Sequence, residues 1–319
     1  MTLRAALAAN AAQLLNKANV VGVGLGIKIR GGRKTGKLCL TVIVEEKLPL
    51  SALSPADIVP ASIAGYPTDV IAGGPFQALA TLQSTKTVAP GMSIGHYRIT
   101  AGTFGAVVYD LTSGSPLILS NNHVLANSSN GRDHRAYIGD PILHPGPIDG
   151  GRLPESMIAN LTRFQALTFL AANQQAVLVS SEQEGAPSQL TNVVDAAVAK
   201  PLPDKHIDSD ILGIGPITGT REAELDLPVL KSGRTTGVTQ GIVLLLNAAV
   251  RVSYGPVGTT IFTDQIISDM PSAPGDSGSL VVDNERRAVG LLFAGGNGLT
   301  ICNPITQVER LLQISMLPI

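Results

Sequence analysis

The sequence predicts a mainly β protein preceded by a small α+β unit, on three observations. From Val88 onward, short apolar runs rich in β-branched residues are separated by Gly, Pro, Asn and Ser. The chain holds 34 Gly and 21 Pro and no Trp, so it has turn formers enough to connect many short strands. Ahead of this region, a run of good helix formers leads into two glycine-punctuated strands, a different texture.

The elements follow in order. Residues 3–17 place Leu3, Leu7, Leu14 and Leu15 on one face of a helix. Val20 to Arg30 reads as a strand, Gly31 to Gly36 as a turn and Leu38 to Glu45 as its hairpin partner. Gly22-Val-Gly24-Leu-Gly26 resembles half of a dinucleotide-binding fingerprint, but it runs on into Ile27-Lys28-Ile29-Arg30 rather than into a helix, so it predicts a strand packed closely against the helix. Pro49, Pro55 and Pro60 punctuate a loop, Pro67 to Ile71 adds a short strand, and the unit ends near residue 85. Beyond it, strands are predicted at Phe104–Asp110, Pro116–Ser120, Val193–Ala199, Gly241–Val250, Thr259–Ile267, Ser279–Val282 and Ala288–Phe293. Ile158, Leu161, Phe164 and Leu167 recur at helical spacing, which predicts a helix over Pro154–Phe169. A terminal helix is predicted over Ile305–Leu312.

The bulk numbers exclude some functions. Lys plus Arg number 23 against 24 Asp plus Glu, a balance that leaves no electrostatic footprint for nucleic acid or an acidic membrane. Cys39 and Cys302 sit far apart in apolar strand-like settings and read as buried free thiols. The first 26 residues are interrupted by Asn10, Gln13, Asn16, Lys17 and Asn19, unlike a secretory segment, so a cytoplasmic location is expected. No cofactor and no metal are expected. Asp133, His134, His144 and Asp149 lack metal-ligand spacing and are read as turn and surface residues.

The densest chemical signal is Pro274-Gly275-Asp276-Ser277-Gly278-Ser279. Small residues around a serine allow a sharp turn that exposes the hydroxyl, and they let the amides near Gly275 and Ser277 point into one space, as an oxyanion hole requires. An apolar strand, Pro116 to Ser120, ends at Asn121-Asn122-His123. Asp195 is a single carboxylate in the apolar run Val193 to Ala199, costly to bury without a partner. A histidine awaiting an orienting acid and an acid awaiting a donor account for each other.

The order His123, Asp195, Ser277, with Ser120-Asn-Asn-His123, Gly275-Asp-Ser-Gly278 and Lys231-Ser-Gly-Arg-Thr-Thr-Gly237, resembles the chymotrypsin/trypsin family of serine peptidases over about residues 88–319. More narrowly, the chain resembles bacterial trypsin-like peptidases without signal sequences, related to the plant NARROW LEAF proteins; Gly139 to Gly151 and the N-terminal Gly-Val-Gly strand carry that likeness. The resemblance implies a double six-stranded β-barrel of the chymotrypsin type, divided as 1–85 for the α+β domain, 86–204 for the first barrel with an insertion at 130–190, and 205–319 for the second barrel and terminal helix. It implies His123, Asp195 and Ser277 as the catalytic residues, with Gly275, Asp276 and Ser277 of the serine loop forming the oxyanion hole.

Further expectations follow from the resemblance. Arg234 is expected to pair with Asp276 and pre-form that loop. Pro271, six positions before Ser277, offers no acid for Arg or Lys side chains; Pro271, Ser272, Phe293, Ala294 and Gly295 are expected to line a pocket for small or apolar ones. The function implied is a regulated serine endopeptidase acting on a protein or peptide, with a catalytically silent binding or scaffold protein of the same fold as the alternative. No nucleic-acid or membrane partner is expected. The N-terminal domain is the candidate contact for a second copy or a regulatory partner, and either it or residues 130–190 could gate the cleft.

Overall fold

The structure, a computed structural model, describes residues 1–74, 87–171 and 191–319. Helix α1 (Leu3–Leu15) begins where the Thr2 hydroxyl accepts the Ala5 N–H at 3.2 Å, satisfying one of the open donors of the first turn. Its buried face, Ala6, Leu7, Ala11, Leu14 and Leu15, packs on β1 (Val20–Arg30) and β2 (Arg33–Val44) through Val20, Val23, Leu40 and Val42. Gly31 and Gly32 take φ of 57° and 75° to turn the hairpin, a region open to glycine at no steric cost. Strands β3 (Ser62–Ile63) and β4 (Tyr66–Ala72) complete the unit, with β4 parallel to β2.

The Gly22–Gly26 segment is a strand, as read from sequence, and Val23 within it packs on α1, while the spaces left by its glycines are closed by strand side chains. A Cβ on Gly26 would lie 2.6 Å from both Leu245 and Thr41. Leu245 belongs to a later strand that pairs antiparallel with β1, Val23 opposite Ala249. The first unit is therefore stitched into the sheet of the second barrel rather than standing apart. The boundary expected near residue 85 lies outside the described residues.

The first barrel comprises β5 (Ser93–His96), β6 (Gly102–Thr103), β7 (Ala106–Asp110), β8 (Pro116–Ser120), β9 (Pro141–Leu143), β10 (Met157–Phe164) and β11 (Ala197–Pro201), with the single turn α2 (Asn122–Leu125) after β8. Pairing runs β7-β8-β11-β10-β9-β5-β6, and β6 continues into β7 through Phe104 and Gly105, which closes the ring. Ile94, Phe104, Ile118, Ile142, Ile158 and Leu161 fill it.

The predicted helix at 154–169 is overturned: β10 occupies its centre, hydrogen-bonded between β9 and β11. The three-residue spacings Ile158–Leu161 and Leu161–Phe164 misled because the register of β10 shifts between Met157 and Ala159 against β9 and between Leu161 and Arg163 against β11. Ladder pairing on both sides outweighs the local helical pattern.

The second barrel contains β12 (Gly219–Thr220), β13 (Pro228–Gly233), β14 (Gly237–Ser253), β15 (Thr259–Ser268), β16 (Leu280–Asp283), β17 (Arg287–Gly296) and β18 (Leu299–Pro304). The order β13-β16-β17-β18-β15-β14, with β14 also paired to β13, is a closed six-stranded ring with β12 added beside β17. Helix α3 (Ile305–Leu312) and β19 (Ile314–Ser315) carry the chain back, and β19 pairs with β7 of the first barrel. Between the barrels lies one apolar cluster, in which Val108, Leu117, Leu119 and Val198 meet Leu280, Val282, Leu291, Ile305, Val308 and Leu312. Each such fully buried side chain contributes about 1.5–3 kcal/mol relative to exposure. The architecture is the mainly β double barrel that the resemblance implied, and among the described residues no helix is long and apolar enough to cross a membrane.

Candidate active site

His123 stands where β8 ends. Asn121, extended at φ −77° and ψ 159°, starts the turn by accepting the Leu125 N–H at 2.9 Å. Its side-chain amide donates to the Asp195 carbonyl at 2.7 Å, and the Asn122 amide donates to the Ser129 and Gln165 carbonyls. The two asparagines thus bolt the histidine turn to the loops around it.

Asp195 precedes β11, the strand that pairs with β8, so the register of Ala197 opposite Ser120 brings the acid to the histidine. Its carboxylate is 0% exposed. One oxygen accepts the His123 backbone N–H at 3.1 Å, and the other accepts the imidazole Nδ1–H at 2.6 Å. A carboxylate only accepts, so the proton of the neutral ring sits on Nδ1 and the lone pair on Nε2. Nε2 is buried and has no hydrogen-bond partner among the described residues. Tyr254, just after β14, donates its hydroxyl to the same Asp195 oxygen at 2.6 Å, while the Asn303 side chain accepts the Asp195 backbone N–H at 3.0 Å. Burial, with the negative Asp195 as a second cause, holds the Tyr254 phenol well above its ordinary pKa, so it stays a donor.

Ser277 lies between Gly275 (φ 106°) and Gly278 (φ 96°), two left-handed positions that make the sharp turn. The loop docks on the first barrel. Thr103 donates its N–H to the Ser277 carbonyl at 2.7 Å and its hydroxyl to the Gly275 carbonyl at 2.5 Å. Glycine is required at 278 for a second reason: a Cβ there would lie 2.1 Å from the Ser120 hydroxyl and 2.3 Å from the Thr103 carbonyl. A Cβ on Gly102 would touch both the Ser277 carbonyl, at 2.9 Å, and Val124, at 2.4 Å, so the serine loop abuts the histidine turn. The Ser277 hydroxyl donates to the Phe293 carbonyl at 3.3 Å, and the residue is 0% exposed.

The expected Arg234–Asp276 pair is not formed. Arg234 makes a bidentate pair with Asp149, Nε and Nη2 each at 2.6 Å, both side chains buried. Lys231 takes the Asp276 role instead, its Nζ 3.3 Å from the carboxylate with both side chains 0% exposed. The pleat decides this: Lys231 and Arg234 are three positions apart across the end of β13, and the lysine is the one directed at the serine loop. Asp276 also accepts the backbone N–H groups of Ala273, Thr235 and Thr236 and the Thr236 hydroxyl, at 2.7–3.1 Å. Burial lowers the pKa of both Lys231 and Arg234, and in each case the paired carboxylate opposes that shift.

Other placements also differ. The Asp276 N–H, assigned to the oxyanion hole, donates to the Ala273 carbonyl at 3.0 Å. The side chains of Phe293 and Ala294 are packed in the core of the second barrel, Phe293 with its ring centroid 4.5 Å from that of Phe262, which leaves their main chain as the part that can face a pocket. Gly295 does face Ser272, whose hydroxyl would lie 2.9 Å from a Cβ there and is 2.7 Å from the Thr300 hydroxyl. Pro271 is exposed, and its carbonyl accepts the Thr239 hydroxyl at 2.8 Å. Asp149 and His144 are buried rather than on the surface, whereas Asp133 caps a turn through Ser129, Asn130 and Arg135 as expected. Among the described residues no cluster of His, Cys, Asp and Glu could hold a metal.

Sequence reasoning missed Tyr254 and Thr103, and it included Lys231 in the Lys231–Gly237 run without giving it the Asp276 role. A lysine in the apolar stretch Val229-Leu230-Lys231 was a usable signal, because a buried ammonium demands a partner. Tyr254 and Thr103 carry no local mark, since each matters only through what lies across the barrel junction.

No protein-family profile matches the chain, and no curated protein matches it. Its structural neighbours are chymotrypsin/trypsin-like serine proteases at low sequence identity. Thermobifida fusca protease A is 15% identical, with 72% of this chain and 97% of that one covered and a TM-score of 0.47. Cellulomonas bogoriensis chymotrypsin is 15% identical, covering 73% and 100%, with a TM-score of 0.44. A glutamic acid specific serine protease is 17% identical, covering 72% and 99%, with a TM-score of 0.46. What the site can do is argued from its own geometry.

Proposed function

We propose that the protein is a serine peptidase in which Ser277 attacks the substrate carbonyl, His123 is the general base and Asp195 orients His123. The observation that carries this reading is the buried His123–Asp195 hydrogen bond of 2.6 Å, which puts the imidazole lone pair on an Nε2 with no hydrogen-bond partner among the described residues, in a turn that abuts the Ser277 loop. Nε2 would take the Ser277 proton as the hydroxyl adds to the peptide carbonyl, then deliver it to the leaving amine; water repeats the cycle on the acyl-enzyme. The Gly275 and Ser277 amides are the candidates to hold the oxyanion. The 3.3 Å bond from Ser277 to the Phe293 carbonyl is long, and it is given up as the hydroxyl turns toward Nε2.

A protein or peptide with a small or apolar side chain before the scissile bond fits best. Gly295, Ser272 and Thr300 bring small groups together, and none of these three is a carboxylate to receive Arg or Lys. The full burial of Ser277 supports a regulated processor over a digestive enzyme. It also favours the second reading, a catalytically silent scaffold of the same fold.

A fluorophosphonate probe separates the two. The expected result is covalent labelling of Ser277 that disappears in S277A and falls steeply in H123A. A folded protein that takes no label at Ser277 would sink the peptidase reading.

A further inference from the structure

Asp195 is a buried carboxylate that among the described residues has no ion-pair partner besides His123. An uncompensated buried charge is costly unless donors converge on it. Two of its donors come from His123 itself, the backbone N–H and Nδ1–H. The third comes from the other barrel: Tyr254 follows β14 and reaches across to the same carboxylate oxygen at 2.6 Å, within the range of charge-assisted O–H···O⁻ bonds. Its ring is held edge-on between His123 and Phe169, with centroids 5.7 Å from each and interplanar angles of 73° and 85°.

The main chain of Asp195 is clamped separately, by Asn121 and Asn303. What remains free is rotation of the carboxylate, and that rotation sets the imidazole plane. The His123 backbone fixes one oxygen, while among the described residues the other is fixed by Tyr254 and by the ring whose orientation is at stake.

On the reading of this site as a peptidase, we infer that Tyr254 is a positioning residue for the His123–Asp195 pair. Its hydroxyl fixes the carboxylate from the second barrel, so the base is oriented correctly only when the two barrels are docked. It also shares an oxygen with Nδ1–H and so tempers the strength of that bond.

The test is Y254F, which keeps the ring and removes the donor, read by proton NMR of the imidazole Nδ1–H and by steady-state kinetics on a peptide substrate. With Oδ2 no longer shared, the Nδ1–H resonance should move downfield. Turnover should fall about tenfold, the scale of one hydrogen bond to a charged group. KM should stay within about twofold, since no substrate contact is lost. F169L perturbs the packing of the Tyr254 ring but not its hydroxyl, and it should leave the resonance in place. In the unsubstituted protein the Tyr254 hydroxyl proton should itself be protected from exchange and show cross-relaxation to Nδ1–H, a measurement independent of whether Y254F folds. An unmoved resonance and unchanged turnover in Y254F, the same changes in F169L, or no protected hydroxyl proton would each overturn the inference. The resonances are read without turnover, so a protein that shows them but takes no fluorophosphonate label removes the peptidase reading alone.

Discussion

Replacing Lys231 with methionine isolates the counter-charge of the serine loop. Methionine nearly preserves the side-chain volume but strips the ammonium from Asp276, leaving a carboxylate that is 0% exposed. Breaking a buried pair by removing one partner costs about 3–5 kcal/mol. Asp276 keeps its bonds from Ala273, Thr235 and Thr236, so part of its charge remains satisfied and the low end, about 3 kcal/mol, applies. The lysine also donates to the Gly237 carbonyl at 2.9 Å, and that bond is lost too. Against a typical stability of about 5–15 kcal/mol, the loss is large but survivable. Urea unfolding should show a lower midpoint with an unchanged slope, and fluorophosphonate labelling should slow at temperatures where the variant is still folded. K231M with a stability within about 1 kcal/mol of the parent would refute the assignment.

Two further changes probe the frame. G278A should destabilise by more than about 2–3 kcal/mol, because it combines a strained φ with overlap against Ser120 and Thr103; a soluble G278A with a parental melting temperature would contradict the packing at the barrel junction. Arg163, 2.6 Å from Asp110, together with the Ser113 N–H and hydroxyl, brings the Asp110 pKa down to about 2 from its ordinary 3.8. The stability this gives is present above about pH 4 and lost as pH falls toward 2, so R163A should flatten acid unfolding in that window, read by circular dichroism.

Much of this was legible in the sequence because local rules were decisive there. The Ala- and Leu-rich start gave α1, glycine turns gave the β1–β2 hairpin, and Pro116–Ser120 matched β8 to the residue. His123 and Asp195 were legible because a lone polar group in an apolar run needs a partner, and each supplied the other's need. The helix expected over 154–169 failed where a register shift imitated helical spacing, and the strand expected at Val193–Ala199 begins at Ala197 because Asp195 lies in the loop before it. The Arg234 assignment failed for a different reason. Sequence shows that a cation is nearby but not which carboxylate it meets, and Asp149, 85 positions away, took it.

The pairing of β1 with β14 has a bearing on synthesis. Val23 meets Ala249, 226 positions further along the chain, so the early hairpin waits with one edge unpaired while the first barrel and the opening strands of the second are being made. At about 5–20 residues per second that wait lasts roughly 11–45 s, during which an apolar edge is open to other chains. Chaperone capture of nascent chains that stop before β14 is the signature to look for. Removing the first unit from the finished protein would expose the β14 edge in turn, so its loss would be felt first as aggregation.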